Sequence, residues 1–289
     1  MLPLVQYIVS DMDGTLLNKD QKVSKENKEA IERAQNQGVE VIIATGRSFQ
    51  EARFALDEAN LECPVICVNG AVVYTKDGAL AASNPMDPDT VKSVIQYLEN
   101  EGIYFEIYTN DGTYTKNYEK SLATLVDILL TANPDLDPLK VTEQARQRVT
   151  VSHIKSIEDY EKLLSISEIE YYKFLIFSND LQKLGDTASA LKENNHLAVS
   201  SSGRENLEIT SRDAQKGIAL EKYVKERGGS LTEAMAIGDN FNDVSMLERV
   251  GRSVAMGNAP TKIKNICEFI TDTNDENGVA NAINKVLKG

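Results

Sequence analysis

Short apolar runs alternate with amphipathic segments along the N-terminal part of the chain. Residues 5–9, 39–44 and 64–68 form apolar, β-branched runs, and each run ends in a polar or Gly-containing turn. Runs of this length predict strands that are buried on both faces of a sheet. The segments 24–37 and 48–60 have helical spacing and begin with serines that can cap a helix. This alternation predicts a parallel sheet with right-handed crossovers.

The pattern changes near residue 84. Residues 84–88, with the sequence Asn-Pro-Met-Asp-Pro, are the most proline-dense part of the chain and predict a domain exit. An Asn-Asp-Gly turn at 110–112 then joins two predicted strands, which indicates a separate α+β unit with an antiparallel sheet. Its predicted helices lie at about 89–101, through 122–129, at 157–166 and at 180–193, and its strands at 103–108, 113–117, 171–177 and 196–201.

The α/β alternation returns from about residue 211. A helix is predicted at 216–227, strands at 234–237 and 253–257, and a final helix at 279–287. The first and last parts of the chain therefore predict one discontinuous core domain. We place this core at residues 1–83 and 208–289, with the α+β unit at 84–207 inserted between its two parts.

Composition and charge exclude several classes of protein. The net charge of −13 would repel a nucleic-acid backbone or an anionic membrane. No apolar run approaches the ~18 residues that span a bilayer, and the N-terminus lacks a secretory signal pattern.

The cysteines and histidines do not indicate disulfides or a metal site. There are too few cysteines for a disulfide framework, namely Cys63, Cys67 and Cys267, and neither His153 nor His196 has ligand spacing. We expect buried thiols in a reduced, cytoplasmic protein, with no nucleic-acid, membrane or readable obligate protein partner.

Four groups of polar residues lie where predicted core strands end or helices begin: Asp11 with Asp13, Thr45 with Gly46, Lys216, and the segment 238–243. In open α/β sheets the ligand crevice lies beyond the carboxyl ends of the strands. Each group also has a simpler explanation, such as a hairpin turn at Asp13-Gly14, a solvated Lys216, or an acidic helix start at 239–243. Their joint occurrence in the order of the chain favours a functional site.

The four groups together supply carboxylates, a hydroxyl, an ammonium and an amide. Mg²⁺ prefers oxygen ligands and commonly bridges to a substrate phosphate. Phosphoryl transfer depends on positioning and on charge neutralisation by a metal, a Lys and hydroxyl or N–H donors. A carboxylate can also attack phosphorus and form an aspartyl-phosphate. The set therefore indicates phosphoryl-transfer chemistry.

The sequence resembles the haloacid dehalogenase superfamily phosphatases, specifically the bacterial Cof-type group with a large inserted C2-type cap domain. The four motifs of that family are matched by Asp11-x-Asp13-Gly14-Thr15, Thr45, Lys216 and Gly238-Asp239-x-x-Asn242-Asp243. The resemblance covers the full length of the chain, including the position of the cap. It implies an α/β fold, in which a Rossmann-like parallel-sheet core carries an inserted α+β cap.

The resemblance also implies a role for each matched carboxylate and for the lysine. Asp11 would be the nucleophile and a Mg²⁺ ligand. Asp13 would be general acid and then general base, with its backbone carbonyl on the metal. Asp239 would complete the protein ligands of the metal, and Asp243 would hold Asp239 or Lys216 in place. Lys216 would offset charge between Asp11 and the phosphoryl group.

Phosphate oxygens would be held by Thr45, by the amides of Met12 and Gly46, and by Asn242. Arg47 is a further candidate, because an Arg can grip phosphate through two N–H groups. Arg47 would equally suit a surface position at the start of a helix.

These roles predict a Mg²⁺-dependent phosphatase that acts on a small phosphorylated metabolite, and family analogy favours a sugar phosphate. A phosphomutase of the same fold and a catalytically weak phosphate-binding regulator stay open as alternatives. A dehalogenase is disfavoured, because dehalogenases of the superfamily lack the carboxylate of Asp13. The cap would act as a lid that reads the rest of the substrate, with Asn110, Asp111 and Arg204 as candidates. An Asn-Asp-Gly sequence is, however, also what a tight turn needs.

Overall fold

The computed structural model describes residues 5–117, 119, 120, 122, 123, 126, 130, 137–151, 154–202 and 204–287. Its strands, numbered along the chain, are β1 Tyr7–Ser10, β2 Glu40–Ala44, β3 Val65–Cys67, β4 Val72–Tyr74, β5 Leu80–Ser83, β6 Tyr104–Thr109, β7 Gly112–Thr115, β8 Ile154–Ser156, β9 Tyr171–Phe177, β10 Leu197–Ser200, β11 Asn206–Ser211, β12 Ala234–Gly238, β13 Arg252–Ala255 and β14 Phe269–Ile270. Its α-helices are α1 Lys25–Asn36, α2 Phe49–Glu58, α3 Pro88–Asn100, α4 Pro138–Val151, α5 Tyr160–Leu164, α6 Leu181–Lys192, α7 Lys216–Glu226, α8 Val244–Leu247, α9 Thr261–Lys264 and α10 Gly278–Leu287.

The chain divides into two compact units. One unit contains Met1–Ser83 and Asp213–Gly289, and the other contains Asn84–Arg212. The chain re-enters the first unit at Asp213, five residues later than the boundary expected at 208. The reason is that β11 pairs with β9 and β10 in the sheet of the second unit. A boundary at 208 would cut through this strand.

The first unit is built on one sheet in the order β14-β13-β12-β1-β2-β3-β4-β5. The strands from β14 to β3 are parallel, as predicted. The pairs β3-β4 and β4-β5 are antiparallel, and the sequence pattern did not predict β4 or the edge strand β5. β4 has only three residues and β5 begins with two exposed residues, so neither has the long apolar run that identified the buried strands.

The register of the three central strands brings their carboxyl ends to one level. Ser10 at the end of β1 pairs with Ile237 on one side and with Ile43 on the other. The residues that follow these strands, at 11, 239 and 45, therefore emerge at the same edge of the sheet. This register places three of the four predicted polar groups together before any side-chain contact is considered.

Local sequence signals fix the helices that flank this sheet. The Ser24 hydroxyl accepts the Asn27 N–H at the start of α1. At the start of α2, the Ser48 hydroxyl accepts the Glu51 N–H, while the Glu51 carboxylate accepts the Ser48 N–H. This reciprocal capping box was predicted from the Ser-x-x-Glu sequence and is confirmed.

The second unit is built on a sheet in the order β10-β11-β9-β6-β7-β8. Its pairs are antiparallel, as predicted, except that β7 and β8 are parallel. An apolar cluster from α3, α5, α6 and the strands forms its core. The sequence pattern did not predict α4 or β8. Residues 124, 125 and 127–129 of the helix predicted through 122–129 lie outside the described residues, as does His153.

The described helices include none that is both long enough and apolar enough to cross a membrane.

Cys63 and Cys67 are buried free thiols, as predicted. Burial raises the pKa of the Cys63 thiol to about 12.

Candidate active site

The loop that follows β1 carries Asp11 and Asp13 at the strand edge. Residues Met12–Leu16 form a single irregular turn of π-helical type, in which Gly14 has φ +74°. A Cβ atom at position 14 would lie 2.6 Å from Asp239 Oδ2. Glycine is therefore required here both for the left-handed backbone and for the close approach of the Asp239 carboxylate.

Lys216 lies between two buried carboxylates. Its Nζ is 2.5 Å from Asp11 Oδ1 and 2.7 Å from Asp243 Oδ1. Burial lowers the pKa of the Lys216 ammonium, but the carboxylates of Asp11 and Asp243 outweigh burial and raise it above its usual value. Lys216 therefore stays charged at neutral pH and neutralises one of its two partners.

Close backbone packing brings Lys216 to this position. Lys216 is the first residue of α7, and Gly217 follows it. A Cβ atom at Gly217 would lie 1.9 Å from the Ser245 carbonyl oxygen. The Gly217 N–H donates to the Ser245 hydroxyl at 3.0 Å. The missing side chain thus lets the start of α7 lie directly against α8.

Asp243 holds the loop that carries Asp239. Its Oδ2 accepts the backbone N–H groups of Asp239 at 2.9 Å and Asn240 at 3.0 Å, and its Oδ1 accepts from Lys216. The side chain is fully buried. With both oxygens bonded to protein donors, Asp243 acts in this structure as a support for its neighbours.

Asp239 is oriented by a residue from the first motif. The Thr15 hydroxyl donates to Asp239 Oδ1 at 2.9 Å, and Thr15 is completely buried. Burial, with the nearby Asp243 carboxylate, raises the pKa of Asp239 to about 7.

The pKa of Asp11 is also raised well above its ordinary value. Burial is the largest cause, the Asp243 carboxylate raises this pKa further, and the Lys216 ammonium lowers it in part.

The three acids form a group that could hold a metal ion. One carboxylate oxygen from each of Asp11, Asp239 and Asp243 lies within 4.8 Å of the others. Three carboxylates face one ammonium here, and oxygen donors with surplus negative charge suit a hard divalent cation. Since Asp243 already uses both oxygens, Asp11 and Asp239 are the side chains best suited to bind the ion. The donor chemistry therefore fits the predicted metal.

Asp13 lies outside this group and pairs with Arg47. Arg47 Nε is 2.8 Å from Asp13 Oδ2, and Arg47 Nη2 is 2.5 Å from Asp13 Oδ1. The Arg47 side chain is 9% exposed and that of Asp13 is 43% exposed. Arg47 Nη2 also donates to Gln21 Oε1 at 2.6 Å. Arg47 is therefore a buried partner of Asp13, which the surface alternative did not predict, and its role as a phosphate ligand stays a prediction.

The predicted phosphate-binding residues lie on the same strand-edge loops. Thr45 follows β2, is buried, and accepts the Arg47 N–H through its hydroxyl at 3.1 Å. Gly46 is the next residue, and Met12 is in the turn after Asp11. Asn242 Nδ2 donates to Asn69 Oδ1 at 3.4 Å, which connects the fourth motif to the loop after β3.

The candidate substrate readers of the second unit have structural roles. Asn110 binds the backbone of the segment before β9, accepting the Glu170 N–H at 3.0 Å and donating to the Glu168 carbonyl at 2.9 Å. Asp111 accepts the Tyr114 hydroxyl at 2.6 Å and Lys155 Nζ at 2.8 Å. These contacts give both residues a structural role, and their role in reading the substrate stays a prediction. The structure shows no such contact for Arg204 among the described residues.

Comparison with known proteins places the chain in a family. A model of haloacid dehalogenase-like hydrolases matches residues 8–283. The chain is 35% identical over 285 residues to phosphatase YwpJ of Bacillus subtilis, covering 98% of this chain and 100% of that protein. It is 38% identical over 286 residues to 5-amino-6-(5-phospho-D-ribitylamino)uracil phosphatase YwtE of the same organism, covering 99% of both.

A solved structure supports the same placement. A haloacid dehalogenase-like hydrolase from B. subtilis superposes with a TM-score of 0.90 at 35% identity, over 97% of this chain and 99% of that one. Both of these relatives, YwpJ and YwtE, are named phosphatases, and the chain is a phosphoric monoester hydrolase. The chain belongs to the haloacid dehalogenase-like hydrolases, in the Cof-type group with an inserted cap. The resemblance read from the sequence is thereby confirmed.

Replacing Thr15 tests the link between the first and fourth motifs. Thr15→Val keeps the shape of the side chain but removes the donor to the buried Asp239 carboxylate. Hydrogen bonds to charged groups contribute about 1.5–3 kcal/mol. We expect the free energy of unfolding of metal-free Thr15→Val, measured with urea at alkaline pH, to be lower than that of the wild type by about that amount. Thr15→Ser retains the hydroxyl and serves as the control. Equal stability of Thr15→Val and the wild type would contradict the assigned bond.

Proposed function

We propose that the protein is a Mg²⁺-dependent phosphatase that hydrolyses a small phosphorylated metabolite through an aspartyl-phosphate. The observation that carries this proposal is the pairing of two aspartates with different surroundings at one strand end. Asp11 is buried against Lys216, whereas Asp13 is partly exposed and held by Arg47. Two carboxylates in such different environments suit two different chemical tasks.

The surroundings of Asp11 support a nucleophilic role. Its Oδ1 is paired with Lys216, which limits the rotation of the carboxylate and favours its ionised form. The second oxygen would attack phosphorus, forming a new P–O bond while the bond from phosphorus to the ester oxygen breaks. Lys216 would offset the negative charge that accumulates between the carboxylate and the phosphoryl group.

The surroundings of Asp13 support a role in proton transfer. As general acid, Asp13 would deliver a proton to the departing ester oxygen. As general base, it would then take a proton from the water that attacks the aspartyl-phosphate. The two-point contact with Arg47 stabilises the carboxylate form, which the second step requires. The first step requires the protonated form, so we expect this contact to loosen when Asp13 acts as an acid.

The acidic group supports a divalent cation as cofactor. Asp11 and Asp239, with the backbone carbonyl of Asp13, would hold Mg²⁺, and Asp243 would keep Asp239 and Lys216 in place. When bound, Mg²⁺ would neutralise phosphate charge in the manner usual for phosphoryl-transfer enzymes. Phosphate oxygens would be held by Thr45, by the amides of Met12 and Gly46, and by Asn242.

The relatives suggest which substrates to examine first. One is named as a phosphatase of a phosphorylated ribityl compound. Another, pyridoxal phosphate phosphatase YbhA of Escherichia coli, is 28% identical over 279 residues. From the ribityl compound and the sequence resemblance, we propose a phosphorylated sugar or sugar alcohol, or a related small phosphomonoester, as the substrate class of this chain. The substrate-reading role of the second unit and the cytoplasmic location stay predictions from the sequence.

A screen of phosphorylated metabolites, scored by release of inorganic phosphate, tests the proposal. We expect release with Mg²⁺, none after chelation, and recovery when Mg²⁺ is restored. Asp11→Asn should lower turnover by about four orders of magnitude or more with the fold retained, because the amide cannot attack phosphorus. Asp57→Asn, which changes an exposed partner of Arg53, is the matched control. A rearranged substrate without free phosphate would instead favour a phosphomutase, and retained Asp11→Asn activity would exclude the nucleophile assignment.

The dependence of rate on the leaving group tests the role of Asp13. An alkyl phosphate needs its departing oxygen protonated, whereas p-nitrophenolate leaves readily without a proton. Asp13→Asn should therefore slow alkyl phosphate hydrolysis by about 10²–10⁴-fold, with a much smaller effect on p-nitrophenyl phosphate. Steady-state kcat on both substrates gives the comparison. An equal loss on both would show that Asp13 does not protonate the leaving group.

A further inference from the structure

The backbone turn after Asp11 is held by side chains from the C-terminal part of the first unit. Asn258 Nδ2 donates to the Gly14 carbonyl at 2.8 Å. Asn274 Nδ2 donates to the Leu17 carbonyl at 2.9 Å. Two carbonyls of one loop are thus bonded by two asparagines that lie outside all four motifs.

The two asparagines are also bonded to each other. Asn258 Oδ1 accepts the backbone N–H of Asn274 at 3.1 Å. Asn258 therefore uses both ends of its amide, with the donor on the turn and the acceptor on the neighbouring loop. We call this pair, Asn258 and Asn274, the asparagine tether.

The geometry of the turn explains why it needs such support. Gly14 has φ +74°, and Asp13 has φ −81° and ψ 123°, so the turn interrupts regular helical bonding. Within the turn, the Leu17 N–H donates to the Met12 carbonyl. The Gly14 carbonyl obtains its donor from the Asn258 side chain instead. Side-chain amides commonly supply the bonds that an irregular backbone cannot make for itself.

The peptide groups beside Gly14 carry the residues on which the site depends. Asp13 precedes Gly14, and Thr15, whose hydroxyl donates to Asp239 Oδ1, follows it. If residue 14 had a Cβ atom, this atom would lie 2.6 Å from Asp239 Oδ2. The turn and the Asp239 carboxylate therefore have little room to move independently. The Gly14 carbonyl belongs to the peptide plane that holds the Thr15 N–H, so rotation of this carbonyl would turn the Thr15 backbone and strain the adjoining Asp13-Gly14 peptide.

We propose that Asn258 is a positioning residue of the active site, which fixes the Asp13-Gly14-Thr15 turn against Asp239 through its bond to the Gly14 carbonyl. The inference rests on the proposed function, because it assigns Asp13 and Asp239 to the metal site. Residues that orient metal ligands from outside typically change metal affinity or activity by about 10–100-fold when replaced. Asn258 acts in this way through the backbone.

Two variants separate the two ends of the Asn258 amide. Asn258→Asp keeps the acceptor for the Asn274 N–H but places a carboxylate oxygen against the Gly14 carbonyl. Asn258→Ala removes both bonds. Asn281→Ala is the matched control, because Asn281 donates to Asp272 and to the Glu276 carbonyl in the same part of the chain without contacting the turn.

Calorimetric titration with Mg²⁺ and hydrogen exchange measure the effect without relying on turnover. Both Asn258 variants should raise the Mg²⁺ dissociation constant by about tenfold. In metal-free protein, they should speed amide exchange in residues 12–17. The melting temperature should stay close to that of the wild type, because Asn258 is exposed, and Asn281→Ala should change none of these quantities.

Wild-type Mg²⁺ affinity and wild-type exchange in the Asn258 variants would overturn the inference and leave the proposed function intact. A similar loss of Mg²⁺ affinity in Asn281→Ala would also overturn it, since the effect would then be a general weakening of the C-terminal segment. A wild-type protein that neither binds Mg²⁺ nor releases phosphate would overturn the proposed function. Exchange in residues 12–17 would even then show whether Asn258 restrains the turn.

Discussion

The buried ion pair between Lys216 and Asp11 is the interaction on which the rest of the site depends. A buried carboxylate is costly unless a charge or hydrogen-bond donors compensate it, and this site places three of them around one ammonium. Lys216 pairs with both Asp11 and Asp243 but neutralises only one charge, and backbone N–H groups bond the second oxygen of Asp243. The remaining negative charge falls on Asp11 and Asp239, where a divalent cation would relieve it.

The fold makes this arrangement possible through register and through glycine. Because β1 lies between β12 and β2 in parallel register, the three strands deliver their next residues to one edge. Gly14 lets the first loop approach Asp239, and Gly217 lets α7 approach α8 so that Lys216 reaches Asp11. The contacts of Gly14 with Asp239 and of Lys216 with Asp11 join segments that are more than two hundred residues apart in the chain.

Much of the site could be predicted from the sequence, because strand ends can be read from apolar runs. Asp11, Thr45 and Asp239 each follow such a run, and the parallel fold then brings them together. The partners of these residues could not be read in the same way. Thr15 belongs to the first matched motif, but the sequence does not show that its hydroxyl donates to Asp239, which is far away in the chain.

The pairing of Arg47 with Asp13 escaped prediction for a related reason. A guanidinium can bind a phosphate or a carboxylate with the same two-point geometry. The sequence Thr-Gly-Arg therefore indicates an anion partner without saying which one.

The second domain boundary, expected at 208, lies at Asp213 for a different reason. β11 follows a turn, and its sequence is compatible with either the core or the inserted unit. Its pairing with β9 and β10 assigns β11 to the inserted unit.

The proposed nucleophilic role of Asp11 is tested most directly by looking for a covalent phosphoryl group on its side chain. The protein would be mixed with a substrate that carries a radiolabelled phosphoryl group, quenched in acid within one turnover, and digested for peptide mapping. We expect label on the peptide that contains Asp11. This label should be lost on treatment with base or hydroxylamine, as from an acyl phosphate, and should be absent from Asp11→Asn. Release of labelled phosphate at full rate without any labelled peptide, under conditions that trap acyl phosphates, would contradict this role.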